Sequence, residues 1–111
     1  YLQLDCDPPI VTYNALLKIP FDKHRFAVIT FEHDHYADES SNIREKSRKY
    51  LESLGYELVV ANIAPDNHNP FEDWWVHPDL VNRDIINRIK NVSEMPKRAD
   101  KLMFGRYDRK D

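Results

Sequence analysis

The stretch Phe26-Ala27-Val28-Ile29-Thr30-Phe31-Glu32-His33-Asp34-His35-Tyr36 decides how the chain is read. Its first six residues are apolar or β-branched with no polar alternation, the pattern of a strand covered on both faces. Its last five turn abruptly to carboxylates and imidazoles. Two other runs share the strand character, Tyr1 to Leu4 and Tyr56 to Ile63. Between the runs the apolar spacing becomes helical. Thr12 is placed to cap a short helix carrying Ala15, Leu16 and Leu17, which Pro20 stops. Asn42 followed by Glu45 reads as a capping pair. Ile43, Tyr50, Leu51 and Leu54 share one helical face, and Gly55 suits the cap that ends it. The order β-α-β-α-β predicts a parallel sheet with right-handed crossovers.

Downstream, Ala64 to Pro70 is rich in turn formers, and Trp74, Trp75 and Val76 form a short returning strand, antiparallel to its neighbour. Pro78 and Asp79 open a third helix with Leu80, Val81, Ile85, Ile86 and Ile89 as its apolar positions. Periodicity fades after Asn91, so residues 92–111 read as a polar, loosely docked tail. Because chain ends fray, a strand at Tyr1 suggests a fragment or processed piece whose earlier strands lie upstream. Its outer edge is then open to another chain, including a second copy.

Composition narrows the function classes. The 111 residues suffice for one domain with a modest core. At 41% hydrophobic and 32% charged, the expectation is a soluble globular protein. A net charge of −3 gives no reason to expect nucleic acid. No apolar run approaches the roughly 20 residues of a membrane span, and no signal pattern opens the chain. The single Cys6 cannot form an internal disulfide, which fits a cytoplasmic location. With only Gly55 and Gly105, neither a dinucleotide fingerprint nor a Walker loop is present.

Three clusters carry chemistry. Asp5 and Asp7 flank Cys6 at the carboxyl end of the first strand, where open α/β sheets bind ligands. Two carboxylates there can hold a divalent cation, orient a substrate hydroxyl or amine, or act as a base; an Asp before Pro8-Pro9 equally caps a turn. Glu32 and His33 follow the second strand, and adjacent strands bring them beside Asp5 and Asp7. Carboxylates and imidazoles at that density ligate metals or move protons, or simply face water. No spacing matches a dedicated zinc motif, so the metal is unassigned. In the third cluster, Trp74 and Trp75 wall an acceptor pocket with His77 at its edge. The alternative is a strand that buries one Trp while the other packs under a helix. Cys6 reads as a small spacer, since neighbouring carboxylates oppose a thiolate.

The stretches at 1–7, 26–36, 53–63 and Pro70-Phe71-Glu72-Asp73-Trp74-Trp75-Val76-His77-Pro78-Asp79 carry a likeness. Over residues 1–91 the chain resembles the carboxyl-terminal half of FkbM-type S-adenosylmethionine-dependent methyltransferases. The resemblance implies a partial Rossmann-like, class I methyltransferase sheet, with a parallel β-α-β-α-β unit followed by an antiparallel strand and a helix. Tyr1 to Leu4, Phe26 to Phe31 and Tyr56 to Ile63 would be its fourth, fifth and sixth strands. The Trp74-Trp75 segment would be the antiparallel seventh, inserted between the fifth and sixth. It also implies O-methylation of a small-molecule or glycan hydroxyl. Asp5 matches the first acid of the family's Asp-x-Glu-Gly motif, which implies a cofactor-binding and catalytic role. Asp7 stands in for the Glu, and Pro8 for the Gly. The base would be His33 or Asp7, or a divalent metal held by Asp5, Asp7 and Glu32 would lower the hydroxyl's pKa. The family's glycine loop has no counterpart here, so the chain alone is expected to bind S-adenosylmethionine weakly or not at all. Two rival readings are a non-catalytic interaction module and a dehalogenase-type phosphotransferase using Asp5 and Asp7.

Overall fold

The computed structural model describes residues 1–108, with side chains through Phe104. In chain order the elements are β1 (Leu2–Leu4), α1 (Pro9–Lys18), β2 (Val28–Glu32), α2 (Ile43–Ser53), β3 (Glu57–Ile63), β4 (Glu72–Val76), α3 (Arg83–Ile89) and α4 (Ala99–Asp108). The strands form one sheet in the order β1-β2-β4-β3. β1 and β2 run parallel, with Leu2 beside Ile29 and Leu4 beside Phe31. β4 runs antiparallel to both β2 and β3 and lies between them. The protein is thus an α/β fold on a mixed sheet, and the Trp74-Trp75 strand has the direction and place that the resemblance implies. The outer side of β1 is unpaired among the described residues. Among those residues no helix is long and apolar enough to cross a membrane.

Successive strand residues face opposite ways, and here both faces are apolar. Ile29, Phe31, Trp75 and Leu4 meet Leu16 of α1 with Ile43 and Leu51 of α2. Val28, Trp74 and Val76 belong to the other face, with Val59, Val60, Ile63, Ile86 of α3 and Leu102 of α4. This two-sided burial is why the central runs lack polar alternation.

Several element ends differ from the sequence expectation. α1 begins at Pro9, so Thr12 lies inside the helix, fully buried, instead of capping it. The ring of Pro9 has the helical φ built in and no N–H to satisfy, which favours the earlier start. Asn42 precedes α2 in the left-handed conformation (φ 59°) and makes no side-chain cap bond. A capping side chain needs an extended backbone, so the pair with Glu45 does not form a box. α3 starts at Arg83, where Asn82 accepts a 2.8 Å hydrogen bond from the Asp84 N–H. Pro78 and Asp79 instead lie in a turn closed by the Leu80 N–H on the His77 carbonyl.

The segment after Asn91 is also tied down. The Asn91 N–H donates to Val59 O at 2.7 Å and the Lys97 N–H to Asn62 O at 2.9 Å, both along the outer edge of β3. Of the segment read as a tail, residues 109–111 lie outside the described residues.

Gly55 ends α2 at φ 91°, with the Tyr56 N–H returning to Leu51 O at 3.1 Å. A Cβ there would meet nothing within 4 Å, so any penalty is conformational. Gly55→Ala is expected to lose about 1–2 kcal/mol in urea denaturation, the cost of a left-handed L-residue. An unchanged midpoint would contradict this account of the helix end.

Candidate functional site

Strand direction builds the site. β1 and β2 are parallel, so their carboxyl ends share a rim. β4 is antiparallel, so its first residues reach the same rim: Glu72 pairs with Glu32, and Asp73 with Phe31. One step beyond the Leu4–Phe31 pair, Asp5 comes level with Glu32. Alternation puts Glu32 and Glu72 on one face and Asp73 on the other. One rim therefore carries two carboxylate groups with different surroundings.

On the first face the Glu32 carboxyl stands beside those of Asp5 and Asp34. Burial, then the bonds and charges of those two acids, push its carboxyl up to about 9. At neutral pH Glu32 is therefore protonated, and its one proton can be offered to only one of the two neighbours at a time. Asp34 is only 6% exposed. Burial pushes it above the usual carboxylate range, while the hydrogen bond from Glu32 works the other way. Glu72 is also raised by burial, although the Trp74 Nε1–H donates to it at 2.7 Å. Next to these acids the loops after β1 and β2 enclose an open cleft of about 590 Å³, lined by Asp7, Pro8, Pro9, Asp34, Tyr36, Ala37 and Asp38. The arrangement can hold and exchange a proton beside a small polar ligand. Among the described residues no group of three or more His, Cys, Asp or Glu is placed to hold a metal ion.

On the second face Asp73 is fully buried. Arg48 of α2 grips it with two prongs, Nε to Oδ2 at 2.8 Å and Nη2 to Oδ1 at 3.0 Å. The Asn62 N–H adds a 2.9 Å bond to Oδ1. Asn62 is left-handed (φ 61°) at an irregular point of β3, which frees this N–H from the ladder. Burial pushes Asp73 up, but the contacts from His33 and Arg48 outweigh it and hold the carboxyl well below the usual range. Glu94 closes the network, accepting from Arg48 Nη1 at 2.9 Å and from Asn62 Nδ2 at 3.1 Å.

Of the residues expected from sequence, Asp5 and Glu32 stand together at the rim, Asp7 lines the adjoining cleft with Asp34, and half-buried Trp74 donates to Glu72. His33 does not join them. It is fully buried, its Nδ1 accepts from the His35 N–H at 3.1 Å, and its Nε2 lies 3.3 Å from Asp73 Oδ1. The 3.3 Å approach of Nε2 to Asp73 Oδ1 lacks hydrogen-bond geometry. His33 supports the buried acid and is not open to the cleft. Trp75 is likewise fully buried in the core under α1 and α2, so it walls no pocket. His77 lies at the far end of β4, its N–H bonded to Ala27 O and its ring on Tyr56 with centroids 5.0 Å apart. A five-residue strand separates it from the rim by about 16 Å. Glu72, Asp73 and Arg48 were not singled out in the sequence. The signal for the first two is that an antiparallel strand must begin at the rim where its parallel neighbours end.

These groups fix the sign of the pH dependence. Hydrogen bonds from Arg83 and Lys90 hold Glu57 down at about 2, and Asp73 is depressed as well. Their stabilisation is present above the ordinary carboxylate range and is lost as pH falls through it. Glu32 has the opposite sign. Between its ordinary 4.5 and about 9 the native state holds a proton the unfolded chain has released, so stability falls as pH rises across that window. Thermal melts are expected to peak near about pH 5. Glu32→Gln should make the alkaline decline shallower, leaving the part due to Asp34 and Glu72, and leave the acid limb unchanged; the same alkaline slope in both proteins would contradict the assignment. Compared with known proteins, the chain matches no family model, no curated protein and no solved structure.

Proposed function

We propose that the chain is the acceptor-side half of a class I, FkbM-type S-adenosylmethionine-dependent methyltransferase acting on a small-molecule or glycan hydroxyl. The observation that carries the reading is the strand order β1-β2-β4-β3, with a single antiparallel strand inserted between two parallel ones. The resemblance implies that order, and simple βαβ winding does not produce it. The acids at the carboxyl rim of β1 and β2 add support, since ligands of open α/β sheets bind at that rim.

The donor supplies an electrophilic methyl group on a sulfonium. Asp5, exposed at the rim, is the residue here that fits its positive charge. No glycine loop accompanies it, because Gly55 and Gly105 both lie far along the chain, so most donor contacts come from sequence outside these residues. In this reading the free side of β1 receives a strand of that donor half. The acceptor occupies the cleft of about 590 Å³, within the usual size range of small-molecule sites. In this reading Asp7, exposed on its lining, takes the hydroxyl proton. Glu32, carrying its own proton, adds no negative charge to the rim.

The test uses the full-length natural chain that contains these residues. Calorimetric titration with S-adenosylhomocysteine is expected to give one site per chain, and Asp7→Asn to lower methyl transfer by about 10²–10⁴-fold, the usual contribution of a general base, with donor binding kept. Absence of homologue binding by a folded full-length chain would overturn the reading.

A further inference from the structure

Two loops carry the acids of the rim, and the turn in the first is bonded to one buried hydroxyl. The β1–β2 pairing ends at Leu4, leaving the backbone of Cys6 without a strand partner. Thr12 of α1 supplies both bonds: the Cys6 N–H donates to Thr12 Oγ1 at 3.1 Å, and Thr12 Oγ1 donates to Cys6 O at 2.8 Å. A threonine inside a helix ordinarily turns its hydroxyl to the carbonyl one turn back. Here that carbonyl, on Pro8, already accepts the Val11 N–H at 2.9 Å. Thr12 is fully buried, so no water competes for its hydroxyl. Cys6 sits between Asp5 and Asp7, and fixing both of its peptide groups fixes the direction in which each acid leaves the chain.

We propose that Thr12 is the positioning residue of this site, its hydroxyl clipping the Asp5-Cys6-Asp7 turn to α1 and so setting Asp5 against Glu32 and Asp7 against the cleft. Its bearing on turnover rests on the methyl-transfer reading; its own test does not, because the test reads only the geometry of the acids.

Glu32 reports that geometry. The groups facing it are Asp5 from the clipped turn and Asp34 from its own loop, with Glu72 paired across the sheet. Of these, only Asp5 is held by Thr12. Carbon-detected NMR of the Glu32 carboxyl in the 111-residue chain should give a wild-type midpoint near 9. Thr12→Val keeps the side-chain shape and deletes the hydroxyl. It is expected to lower the midpoint by about one pH unit, a tenfold rise in acid constant, while the amide spectrum of β2 and β4 stays native. Thr12→Ser, which keeps the hydroxyl, should restore the wild-type midpoint. A folded Thr12→Val variant that titrates like wild type overturns the proposal. Should Thr12→Val fail to fold, amide exchange decides it. The Cys6 N–H must be protected in wild type and in Thr12→Ser, and exchange at open-loop rates in either overturns the proposal.

Discussion

The buried ion pair between Asp73 and Arg48 is the constraint on which the rest of the structure depends. A buried carboxylate costs several kcal/mol unless it is paired and hydrogen-bonded, and stranding one partner of such a pair costs about 3–5 kcal/mol. Asp73 is met by both prongs of Arg48 and by the Asn62 N–H. The pair therefore fixes α2 against β4 in one rotation and one register. A slip of β4 by one residue would turn Asp73 to the opposite face and bring Glu72 under α2 in its place. The registered strand instead sets Glu72 opposite Glu32. The acid row on one face is thus fixed by the ion pair on the other. Glu94, reaching Arg48 and Asn62, ties the segment after Asn91 into the same network.

The two faces treat carboxylates in opposite ways for one reason. Asp73 is given cationic and N–H partners and stays ionised in the interior. Glu32 is given other acids and partial burial, so it keeps its proton. Groups whose environments drive their proton affinities apart are common where proton transfer is needed. Asp34, beside Glu32, lines a cleft together with Asp7, Tyr36 and Asp38.

Much of this is legible in the amino-acid sequence. Three apolar runs gave the parallel strands, and the acids at their carboxyl ends gave the rim. What misled was treating sequence neighbours as spatial neighbours. Glu32 and His33 are adjacent in sequence but serve opposite faces, one joining the acids and the other backing Asp73. Trp74 and Trp75 divide the same way, between the Glu72 carboxylate and the core. His77 follows both closely, yet five residues of an antiparallel strand carry it to the other end of the sheet. The roles of Thr12 and Asn62 had no local signal at all. Each depends on a tertiary partner, Cys6 or Asp73, that helix and strand periodicities do not encode.

The β1 and β2 loops converge with the start of β4 at a single rim. Cys6, the only cysteine, lies in the first of those loops and allows a direct measurement by nitroxide labelling and paramagnetic broadening of amide signals. Broadening is expected at His33 to Tyr36 and at Glu72, while Ala27 and His77, about 16 Å away along the strands, remain sharper. Strong broadening at Ala27 and His77 with sharp signals from His33 to Tyr36 would place the acids at opposite ends of the sheet and contradict the account.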